Sequence, residues 1–131
     1  MGTANARAAL VVAMLFAAAS GASGHHSATM FEQTRTITVE GVVKEFQYTN
    51  PHSWLLVDVK DKSGKVTTWG FEAEGPSTLQ RAGIRPSAFK PGTKVTMTGR
   101  PMKDGTPAAV WVLAVRGDGT KFDPREGFQV R

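Results

Sequence analysis

The sequence predicts an all-β domain with one short helix: a five-stranded OB-like barrel with the element order β-β-β-α-β-β. Three observations carry this reading. Five segments alternate apolar with polar residues or are rich in β-branched residues, and turn residues separate them. The period becomes helical once, between the third and fourth segments. The first segment is interrupted by a glycine, as a bulged or bent strand would be. Closing the barrel removes the exposed edges of a small sheet. An open β-sandwich is the other arrangement with this strand count, and the position of the helix favours the barrel.

The elements follow in order. Residues 36–46 alternate from Thr36 to Phe46, with Gly41 inside the run and a phase slip at Val42-Val43. Gln47 to His52 breaks the strand, and Ser53–Val59 forms the second. Lys60–Lys65 is a polar hairpin loop containing Gly64, and Val66–Ala73 is the third strand. Gly75-Pro76 punctuates, Ser77 is placed to cap a helix of about two turns, and Gly83 stops it. Ile84 and Phe89 are expected to tuck beneath the sheet. Lys94–Arg100 and Ala108–Arg116 are the last two strands, joined through the Asp104-Gly105 turn. The core is expected at Val39, Leu56, Trp69, Val95 and Val112, and the three tryptophans, Trp54, Trp69 and Trp111, are read as core residues.

Outside the barrel, residues 1–24 have the anatomy of a secretory signal: Arg7, an apolar run over Ala8–Ala19, and small residues to Gly24. The run is short for a bilayer span, which takes about 20 residues. No second apolar run follows, so no transmembrane segment is expected after cleavage. Residues 25–35 form an N-terminal arm, 36–117 the barrel, and 118–131 a loose tail. The chain has no cysteine, which excludes thiol catalysis, thiolate metal ligands and disulfides. With 16 Lys+Arg against 11 Asp+Glu it is basic, but the charges are spread singly and nucleic acid is not an expected partner.

The residues with the most specific chemistry are the three histidines, His25, His26 and His52. The first two open the arm. The third lies in Asn50-Pro51-His52, the loop between strands one and two, which in OB folds is one wall of the ligand face. The loop between strands four and five, which carries Lys103, is the other wall. Asn50, Trp54 and Lys103 are therefore ligand-face candidates. Imidazole suits copper, zinc and nickel. Cleavage before His25 would add an α-amine to its ring, and cleavage one residue earlier would place a histidine third. Both arrangements favour copper, with Met30 a further soft donor. A plain flexible start and a turn-capping His52 are the ordinary alternatives. Glu72 and Glu74 share a strand face and Asp58 lies across the hairpin. These are read as solvated, or as partners of Lys60 and Lys65, because no nucleophile accompanies them.

Taken together, His25-His26-Ser27, Met30-Phe31, Thr38–Val43, Phe46, Asn50-Pro51-His52 and Trp54 resemble the DUF6152 family. So do Trp69, Gly75–Leu79, Gly83, Lys90-Pro91-Gly92 and Lys103-Asp104-Gly105. Gly24 departs from the alanine usual before the histidine pair. The resemblance implies a small exported protein in the periplasm of a Gram-negative cell and supplies no activity. The functional expectation is thus a periplasmic binding protein, copper its leading ligand, acting as a carrier and not as an enzyme. The alternative is a metal-free interaction module of the envelope that holds a peptide, glycan or protein partner. A copper-dependent oxidase is a third class.

Overall fold

The computed structural model describes residues 27–126. A single helical turn, α1 (Ser27–Met30), precedes the strands β1 (Ile37–Gln47), β2 (His52–Lys60) and β3 (Val66–Glu74). The helix α2 (Pro76–Arg81) and a 3₁₀ turn over Pro86–Ala88 lead to β4 (Lys94–Pro101), β5 (Ala108–Arg116) and the short β6 (Lys121–Phe122). The strands run in the order β3-β2-β1-β4-β5, and a parallel β3–β5 pairing closes the ring. This is the expected five-stranded, OB-like barrel.

β1 holds the barrel together because it pairs with β2 at one end and β4 at the other, and Val42 faces both Asp58 and Lys94. Gly41 stands beside this crossing, where a Cβ would overlap the Asp58 carbonyl and lie 2.7 Å from Val57 Cγ1. The bulge falls just beyond it, between Val43 and Glu45. Gly41 therefore permits a close approach, and Lys44 is the inserted residue.

The helix starts differently from expectation. Its N-cap is Gly75, without a side-chain cap, and Pro76 opens the first turn. Ser77 is two residues too far in to cap. At the other end Gly83 takes φ 74°, with Gly83 N–H donating to Gln80 O and Ile84 N–H to Leu79 O. That is a Schellman motif, and it turns Ile84 into the core.

The core gathers Val43, Leu55, Val57, Phe71, Leu79, Ile84, Phe89, Val95, Met97 and Trp111. Ile84 and Phe89 are buried as expected. Val95 is in the core, while Val39 and Trp69 pack against it half-buried. Leu56 and Val112 are half-buried outside it, which corrects the expected core. Strand alternation explains Leu56: Leu55 and Val57 take the inner face of β2, so Leu56 must take the other. A register shift between Thr98 and Gly99 resets β5, so Trp111 and Ala114 both face inward and Val112 does not. Of the tryptophans, Trp111 is core and Trp54 is half-buried across from Glu72. The segment after Arg116, expected to be loose, contributes β6, and Phe122 packs on Phe89 with ring centroids 4.9 Å apart.

The described part of the arm is tied down. Phe31 bridges Met102, Glu32 N–H donates to Pro101 O, and Lys103 N–H donates to Met30 O. Phe31 is 3% exposed yet stands outside the main core cluster, so it buries against a different part of the barrel wall.

Candidate functional site

A cavity of about 420 Å³ opens along the β3–β5 seam. Strand register assembles its wall. Glu72 of β3 pairs with Val110 of β5, which pairs with Arg100 of β4, so the three lie in one row across three strands. His52 pairs with Glu74 at the start of the β2–β3 ladder and reaches Glu72 on the diagonal. Ala28 and Phe31 of the arm, with Pro124 and Arg125 beyond β6, complete the lining.

The loop before β2 sets His52. Asn50-Pro51 is a cis peptide, Thr49 Oγ1 donates to His52 O at 3.0 Å, and Ser53 Oγ donates to Thr49 O at 3.3 Å. Gly75 lies against this loop, and a Cβ there would come within 2.6 Å of Asn50 Oδ1. Tyr48 Oη lies 3.0 Å from both the Pro76 and Ile84 carbonyls and ties the loop to the helix.

The central contact is between His52 Nδ1 and Glu72 Oε1, 3.0 Å apart. The Glu72 side chain is only 10% exposed, and that of His52 is 34% exposed. Burial pushes the Glu72 carboxyl above its ordinary range; His52 opposes the rise and Glu74 adds to it. The contact uses Nδ1 and leaves Nε2 as the other ring nitrogen. No hydrogen bond to Nε2 is present among the described residues.

The sequence pattern makes Glu72 a solvated strand residue or a lysine partner, and the structure corrects this. Both faces of β3 are covered at this point, and Gly70 through Ala73 are all buried. Asp58 has neither lysine as its partner; it accepts a 2.6 Å bond from Thr68 Oγ1. Of the other candidates, Asn50 and Lys103 are exposed, Trp54 rests over Gly70, and none of the three lines the cavity. Met30 is exposed and outside it as well. His25 and His26 lie outside the described residues. Among the described residues no three His, Cys, Asp or Glu side chains come together as a metal-ligand group. Sequence reasoning missed Arg100 and the cavity role of Trp111. The available signal was the parallel β3–β5 pairing of a closed barrel, which makes neighbours of residues far apart in the chain.

The profile of a family described as of unknown function, DUF6152, matches residues 11–111. The chain belongs to DUF6152. The match spans the arm, the His52 loop, all of β3 and β4, and β5 as far as Trp111. The DUF6152 match therefore includes His52, Glu72, Arg100 and Trp111. No curated protein and no solved structure matches the chain.

Proposed function

We propose that this DUF6152 protein is an exported periplasmic binding protein that carries a copper ion, held by His52 Nε2 with His25 and His26. The observation that supports it is the His52 Nδ1–Glu72 contact at 3.0 Å. Metal-ligating histidines characteristically donate their second ring N–H to a carboxylate, which fixes the tautomer and raises ligand basicity. Ala28 borders the same cavity as His52. His25 is three residues upstream, a reach of about 10 Å at most for extended chain. An all-nitrogen set favours Cu(II), which tops the affinity order for such ligands. The signal-like residues 1–24 support export, and cleavage before His25 makes its α-amine a ligand.

Copper titration into protein starting at His25, and into protein carrying an added N-terminal residue, tests this reading. Spectroscopy counts the nitrogen ligands. Tight binding is expected only for the native start, weakening as pH falls below about 7.7–8.0 where the amine holds its proton. His25→Ala is expected to cost most affinity. Equal affinity in the two proteins would overturn the reading and bring the metal-free interaction module forward.

A further inference from the structure

Among the described residues, two buried side-chain nitrogen or oxygen atoms lack a hydrogen-bond partner: Arg100 Nε and Trp111 Nε1. Both residues line the one cavity on the β3–β5 seam. We infer that this cavity binds a small organic carboxylate through Arg100 and Trp111. The inference does not depend on the copper reading.

Four observations converge on that ligand. Both orphaned groups are donors only, so a partner must bring acceptors. A buried donor left unpaired is destabilising, and native folds leave few of them. Arg100 is a permanent cation, and the ion pairs among the described residues, His52–Glu72 and Arg116–Asp118, do not include it. An anion is therefore favoured over a neutral carbonyl or hydroxyl.

Glu72 does not spend that charge. Its backbone stands two strands from that of Arg100 in the Glu72–Val110–Arg100 row, roughly 9–10 Å at ordinary strand spacing. No ion pair joins Glu72 to Arg100 among the described residues, whereas His52 Nδ1 lies 3.0 Å from Glu72 Oε1. The cavity is thus lined at one end by a carboxylate already paired with His52 and elsewhere by two residues whose buried N–H groups have no partner. Its volume, about 420 Å³, falls in the range of small-molecule sites, and Phe31, Val110 and Pro124 give it apolar walls. Those walls suit the hydrocarbon body of an organic acid better than a bare inorganic anion.

The test uses benzoate and hexanoate as probes, with benzamide as the uncharged control, on purified ¹⁵N-labelled protein in excess chelator. Both carboxylates are expected to shift the Trp111 indole N–H and the Arg100 Nε–H resonances saturably, and benzamide to bind much more weakly. Arg100→Gln and Trp111→Phe are each expected to weaken benzoate about tenfold or more, as loss of a charged or buried hydrogen bond does. Trp111→Phe retains a ring against Phe46 and Phe89; should it fail to fold, Arg100→Gln decides. Silence of both resonances toward both acids would overturn the inference. So would equal binding of benzamide, or unchanged benzoate affinity in the folded variants. Because copper is absent throughout, failure here leaves the metal reading standing, and failure of the copper titration leaves this one standing.

Discussion

Phe71 and Glu72 are neighbours on β3, and both are buried. Phe71 faces the barrel interior, stacks with Trp69 at 6.3 Å between centroids, and belongs to the apolar cluster. Glu72 faces the other way, into a cavity whose lining includes Arg100 and Trp111, residues that each carry a buried, unpaired N–H group. The interior is filled by apolar side chains from every barrel strand, with Leu79, Ile84 and Phe89 joining from the connection between β3 and β4. The cavity holds a buried carboxylate, a histidine and two orphaned donors, features that lower stability unless a ligand uses them. One side of β3 packs the apolar core, and the other lines a cavity with buried polar groups.

Substitutions on the two sides should therefore part company. The largest loss is expected inside. Phe89 makes edge contacts with Phe46, Trp111 and Phe122, so Phe89→Ala should cost about 3–5 kcal/mol in denaturant unfolding. An unchanged unfolding midpoint would place the core elsewhere. Next comes Gly99→Ala. A Cβ there would meet Ala109 Cβ and Val110 O at 2.8 Å, and overpacking of this kind costs about 1–3 kcal/mol. A variant as stable as the parent would show that the β4–β5 register can relax.

On the cavity side the sign should reverse. Folding holds the Glu72 carboxyl above its ordinary range, so the folded state binds its proton more tightly than the unfolded chain does. The stability tied to that proton is fully present below the ordinary glutamate value, about 4.3, and is lost as pH rises through the higher folded value. Glu72→Gln removes this dependence. Its unfolding midpoint should match or exceed the parent's at neutral pH, and the advantage should shrink as pH falls toward 4. A variant less stable than the parent at pH 7 would mean that the His52 contact outweighs the burial. The smallest effect is expected at Val66, 52% exposed at the hairpin end, where Val66→Ser should change stability by no more than about 0.5 kcal/mol.

The two sides were not equally legible in the sequence. Strand positions are local information, and Ala108–Arg116 was read to its ends. The facing of strands was harder. Trp54-Leu55-Leu56-Val57 is apolar at four consecutive positions, so nothing local says which pair points inward. The shift at Gly99 likewise hides the inward set of β5. His52 stood out because histidine is scarce here and its loop flanks a strand. Glu72 did not, because the cavity it lines is completed by the arm, by β5 and by the segment after β6. Arg100 and Trp111 acquire their role only through the closure of the ring, a contact between strands distant in sequence.

The His52–Glu72 pair serves either binding or the fold. Copper affinity and unfolding free energy measured together on the parent, Glu72→Gln and His52→Ala, all starting at His25, decide this most directly. Glu72→Gln is expected to lose about 10–100-fold in copper affinity, the usual consequence of removing an outer-shell partner. His52→Ala should lose more, and Glu72→Gln should unfold at neutral pH no more readily than the parent. Parental copper affinity in both variants, with a loss of stability in Glu72→Gln, would contradict the account and make the pair a structural contact.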